Sequence, residues 1–114
     1  MGRYFNCSIA DVSGSVPILK VSLGEPATNA EIVPDAVESI AALHLPGGRG
    51  IHIDGAITVP TAMAVAHAVA HLYGYVACYD PKIESYVVVI SHDPDFHVGQ
   101  LLERKDPDRP LPQS

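Results

Sequence analysis

Two histidines four residues apart, His67 and His71, open the stretch "AHAVAHLYGYVACYDPK" (66–82), which runs on through a glycine and an apolar segment to Asp80-Pro81-Lys82. Spacing of four puts both imidazoles on one helical face, as a metal-binding pair requires. No glutamate stands between them, so they do not form the zinc-protease motif, and His67 reads as a local hydrogen-bonding residue. His71, nearer the helix end, also complements the helix dipole. Asp80 closes an apolar run at the kind of sheet edge where α/β proteins bind ligands, although Asp-Pro is equally a turn signal. Lys82 follows as a cation that a phosphate could use.

Two further groups carry candidate chemistry. "SHDPDFH" places His92, Asp93, Asp95 and His97 close together. "DPD" is itself a turn signal, so only His92, still attached to the preceding strand, is retained as a candidate metal ligand. Asp54 and Gly55 form a strand-to-helix turn with a single glycine, followed by Thr58. That is short of a P-loop or dinucleotide fingerprint, but places these three as candidate ligand-binding residues.

The elements decide which of these can meet. "RYFNCSI" and "PILKVSL" alternate as two strands around the turn-rich "ADVSGS". "PDAVESIAALHL" reads as a helix starting at Pro34 and ended by Pro46–Gly48. "GIHIDG" is a strand. "TVPTAMAVAHAVAHLYG" is a helix with Thr58 as cap, Pro60 in its first turn and Gly74 just past its end. It carries almost no charge, so it is expected to be buried on several sides or covered by a second subunit. "YVACYD" and "YVVVISH" are two central strands. The order β-β-α-β-α-β-β predicts an α/β domain over residues 1–101, a mixed sheet with helices packed on it. A polar, proline-rich mobile tail is expected over 102–114.

Within the parallel βαβ unit from Ile51 to Asp80, the helix N-terminus lies beside the C-terminal strand ends. Asp54, Gly55, Thr58, Asp80 and Lys82 should gather there. His71 and His92 belong to the opposite end, roughly 20 Å from Asp80 at about 3.3 Å per residue. One subunit therefore cannot bring His71 to Asp80.

The chain has 114 residues, 47% hydrophobic and 18% charged, a composition for one globular domain. A net charge of −6 argues against duplex DNA as a partner. Cys7 and Cys78 show no metal or redox spacing, and no run is long enough to span a bilayer. A reducing, cytoplasmic location is expected.

The segment from Ile53 to Leu102 resembles the small CRISPR-associated family called Csx-three, also described as ring nucleases of type III CRISPR systems. The similarity lies in the glycine–proline turn, "AHxxAHLYG", "YDPK", "VVxISHxPD" and "VGQLL", in order and with matching spacing. The resemblance implies a Rossmann-like fold related to CRISPR-associated nucleotide-sensing domains, and a homodimer whose stacking on another dimer gives a tetramer or filament. It implies manganese-dependent cleavage of cyclic tetra-adenylate, or 3′-end exonuclease action on short adenylate RNA. The matching functional residues are His71, Asp80 and Lys82, with His92 matching a further histidine; Asp80, His71 and His92 are the candidate metal ligands, and Ser91, beside His92, is a candidate ligand contact. Where many members carry "DPR" this chain has "DPK", which keeps the charge but loses bidentate phosphate geometry. Ala56 and Ile57 stand where arginine and tryptophan are common. Two rival readings remain open: a non-catalytic oligoadenylate-binding module, and a homomeric α/β protein whose histidines are structural.

Overall fold

A computed structural model describes residues 2–10 and 16–103. Six strands and two helices follow as β1 (Phe5–Ala10), β2 (Ile18–Leu23), α1 (Asn29–Ala42), β3 (Gly48–Asp54), α2 (Val59–Ala70), β4 (Tyr73–Asp80), β5 (Ser85–Ser91) and β6 (Leu101–Glu103). The strands lie in that same order across one sheet. β2, β3 and β4 are mutually parallel, and the remaining neighbours are antiparallel. The expected mixed α/β order holds through its seventh element.

β6 is the departure. The sequence predicts a polar tail from Leu102, whereas Leu102 pairs with Tyr86 and Glu103 with Ser85. Two leucines show no readable period, but the open edge of β5 offers unpaired backbone groups that a returning chain satisfies. The rest of the expected tail, 104–114, lies outside the described residues.

Both helices cover one face of the sheet. Ile32, Ala36 and Ile40 of α1 and Val65 and Val69 of α2 pack on Phe5, Leu19, Val21, Ile51, Ile53 and Val76. Strand side chains alternate, so their neighbours point to the other face. There Tyr75, Ala77, Tyr86 and Val88 form a smaller cluster, with Phe96 and Leu102 against it.

α1 begins after Thr28 rather than at Pro34, which lies inside the helix. "TNAE" (28–31) explains the earlier start. The Glu31 carboxylate accepts the Thr28 backbone N–H and hydroxyl, each at 3.0 Å, and anchors the first turn. In α2, Thr58 accepts the Thr61 N–H at 3.3 Å and Pro60 sits in the first turn, as expected. The helix ends sooner, with His71 as its C-cap, and Gly74 falls inside β4. A Cβ at Gly74 would lie 2.7 Å from the Arg49 carbonyl oxygen, so strand approach, not helix capping, requires this glycine.

Cys7 and Cys78 are free, and burial pushes both thiols up from their ordinary pKa. Among the described residues no helix is long and apolar enough to cross a membrane.

Candidate functional site

The β4–β5 hairpin fixes the two ends of the molecule. Asp80 pairs with Ser85 at one end, and Tyr75 with Ser91 at the other. His92 follows Ser91, and its backbone N–H donates to the Gly74 carbonyl at 2.7 Å. Five residues of strand separate Tyr75 from Asp80, about 17 Å. His71, just before β4, therefore shares an end with His92, and Asp80 and Lys82 stand at the opposite one.

At the Asp80 end the backbone forms the tight turn that Asp-Pro favours. Asp80 Oδ1 accepts the Lys82 N–H at 2.9 Å, and Lys82 is exposed. Among the described residues Asp80 Oδ2 has no hydrogen-bond partner.

The expected gathering around Asp80 is only half present. Asp54 follows His52 on the sheet face away from the helices. Asp80 follows Cys78, which packs against the helix-side core. The two carboxylates share an end but occupy opposite faces. Asp54 lines a groove of about 300 Å³ with Asn6, Ser8, Lys20, Ser22 and Gly55. Gly55 has φ +147°, and a Cβ there would overlap the Val21 carbonyl oxygen. Backbone crowding accounts for this glycine without a phosphate. Thr58 is committed to its helix cap and also donates to Asn29 Oδ1 at 2.7 Å, tying the two helix starts together.

At the histidine end His67 makes the local hydrogen bond expected of it. Its Nε2 lies 3.2 Å from His71 Nε2, with the rings edge-on and both side chains exposed. His92 is exposed nearby in sequence to a tightly tied loop. The Ser91 hydroxyl lies 3.0 Å from the Asp93 carbonyl oxygen and 2.7 Å from that of Phe96, and accepts the Asp93 N–H. Ser91, expected as a ligand contact, is thus occupied in closing the loop.

Arg49 was not among the sequence candidates, yet it organises this end. Its guanidinium donates to Asp93 at 3.0 Å and to Asp95 at 2.7 Å. It also lies 5.0 Å from the centre of the Phe96 ring, which stacks on Tyr75 at 4.1 Å. The Asp95 N–H, and after it the Arg49 guanidinium, hold the Asp93 carboxyl below the usual carboxylate range. The two acids of "DPD" are therefore partners of Arg49.

His52 is the second omission. Buried on the face away from the helices, it sits 3.1 Å from the Tyr75 hydroxyl and 4.3 Å from the Tyr86 ring centre. Burial lowers its pKa to about 4, so it is neutral at ordinary pH. Its signal was the alternation of "GIHID", which sends His52 away from the face taken by Ile51 and Ile53.

Among the described residues no three histidine, cysteine, aspartate or glutamate side chains converge as a metal-binding group. Asp80 stands apart from His71 and His92, so these three do not fit manganese within one chain. The family model described as CRISPR-associated protein (Cas_csx3) matches residues 26–103. That match covers both helices and β3 to β6, and leaves β1 and β2 outside. Comparison with curated proteins and with solved structures gave no match.

Proposed function

The chain belongs to this CRISPR-associated family, Cas_csx3, and on that premise we propose that it binds and linearises cyclic tetra-adenylate at a site assembled between copies. The observation that supports this reading is the splitting of its candidate residues into two presented half-sites. Asp80 and Lys82 stand at one end of the sheet and His71 at the other, with Lys82 and His71 exposed. Copies stacked end to end bring one copy's His71 to another's Asp80. Such heterologous contacts continue into filaments unless a rotation closes them.

In that assembly Asp80 Oδ2 takes a proton from the attacking nucleophile. Lys82 offsets charge developing on the phosphate, and His71 of the facing copy supplies a proton to the leaving oxygen. The related Rossmann-like nucleotide-sensing domains belong to the same reading. Manganese would need ligands from more than one chain, and the roles above belong to side chains alone.

The homodimer in this reading has an apolar surface to use. Val59 and Met63 on α2 are 73% and 69% exposed, and Leu101 is 57% exposed. Leu101 continues the row Cys78–Val87–Leu101 on the helix side of the sheet.

Incubation with cyclic tetra-adenylate, with manganese and with chelator, tests the activity. Linear adenylate products are expected, and Asp80→Ala should reduce their rate by about 10²-fold or more. Undiminished cleavage by that variant removes Asp80 from the reaction. The engagement of Asp80 Oδ1 by Lys82 N–H also favours a second reading, a turn-forming aspartate in a module that captures oligoadenylate without cutting it. Tight binding with no product in any metal condition selects that alternative.

A further inference from the structure

We propose that His67 and His71 form a chelating site for a borderline divalent transition metal, of the zinc, cobalt and nickel kind. The two Nε2 atoms are 3.2 Å apart. Metal–nitrogen bonds of about 2.05 Å spanning that gap subtend roughly 103° at the metal, close to the tetrahedral angle of about 109°. The two ring nitrogens now share a hydrogen bond, which a metal would replace, and the rings stand at 85° with their centres 4.7 Å apart.

The pair is held on a firm support. His67 lies between Val65 and Val69, both buried, and the His71 backbone N–H donates to the Val69 carbonyl. The i, i+4 placement fixes the relative position of the two rings before any ion arrives. Two imidazoles, with no carboxylate completing a ligand group among the described residues, favour zinc, cobalt or nickel over manganese or magnesium, which prefer oxygen ligands. Among the described residues no third ligand joins them. Two coordination positions therefore fall to water or an exogenous anion, which makes the site exchangeable rather than structural.

The binding stands apart from the proposed cleavage reaction, but a consequence rests on it. A metal bound to His71 Nε2 occupies the lone pair through which that imidazole would carry a proton. Zinc is then an inhibitor acting at the histidine end, and His67→Ala relieves that inhibition.

Cobalt titration of the full chain, followed by visible absorption, tests the site without reference to activity. Saturable one-to-one binding is expected. It should weaken by about tenfold or more in His67→Ala and in His71→Ala, stay unchanged in His97→Ala, and yield to zinc but not to about a hundredfold excess of manganese. Equal cobalt affinity in wild type and the His67→Ala/His71→Ala double variant overturns the proposal, as does displacement by manganese. If the protein binds cobalt as expected but cleaves no cyclic tetra-adenylate, the proposed function fails and the site remains.

Discussion

At the scale of single residues, His52 turns burial into a pH response. Its pKa falls from 6.5 in the open chain to about 4 when folded, because desolvation disfavours the charged ring. Below pH 6.5 the unfolded chain takes up a proton that the folded protein refuses until about pH 4. Stability contributed by the neutral ring is therefore fully present above pH 6.5 and is lost as pH falls through that window, on the order of 3 kcal/mol in all. Urea unfolding of wild type and His52→Phe at pH 7.5, 5.5 and 4.5 isolates the effect from carboxylates that titrate in both. The wild-type curve should fall more steeply; parallel curves would show that His52 is not the source. Gly55 is as demanding in another way. With φ +147° and the Val21 carbonyl in the path of any side chain, Gly55→Ala should destabilise by about 2–4 kcal/mol. Thermal unfolding that leaves the midpoint unmoved would mean that the β3–α2 turn relaxes.

At the scale of elements, α1 shows how two local signals compete. Proline favours the first helical turn, which makes Pro34 a natural start. Thr28 and Glu31 nevertheless extend the helix by five residues ahead of it, at the cost of the hydrogen bond that a residue-34 N–H would give to the Ala30 carbonyl. Pro34 is exposed, so Pro34→Ala loses little packing and restores that bond. It should raise stability by about 1 kcal/mol or more, and a lowered unfolding midpoint would mean that the ring stiffens the unfolded chain more than it harms the helix. Element order along the chain, the parallel βαβ unit and the opposite placement of His71 and Asp80 were all legible, because period-2 and period-3.6 patterns and turn residues specify them locally. β6 was not, since its strand state comes from the edge of β5 rather than from its own two leucines. The alternation of "GIHID" places Asp54 on the face of His52, but its relation to Asp80, and the grip of Arg49 on Asp93 and Asp95, depend on register across 26 and more residues, which no local pattern carries. The loop provides a test of that grip. Arg49→Ala should speed amide exchange over residues 92–98 while β4 keeps its protection; unchanged exchange would assign the loop's order to Ser91 alone.

At the scale of the whole molecule, the distance between His71 and Asp80 is the fact that a functional account must accommodate. A strand's length cannot be closed by side-chain motion, so either one end is idle or separate copies meet. On the proposed reading Met63→Glu, a charge on the exposed apolar side of α2, should shift the protein towards monomer in analytical ultracentrifugation and lower cleavage with it. The decisive measurement mixes two dead proteins. Asp80→Ala keeps His71, and His71→Ala keeps Asp80, so neither alone has a complete site. In random mixed stacks about one site in four receives both native residues, because each end is drawn independently from the two pools. Cleavage should therefore return to about a quarter of the wild-type rate on mixing, rising with the time allowed for copies to exchange. If both variants stack as wild type does and the mixture stays silent, the two ends do not meet, and the histidine end must do something other than serve Asp80.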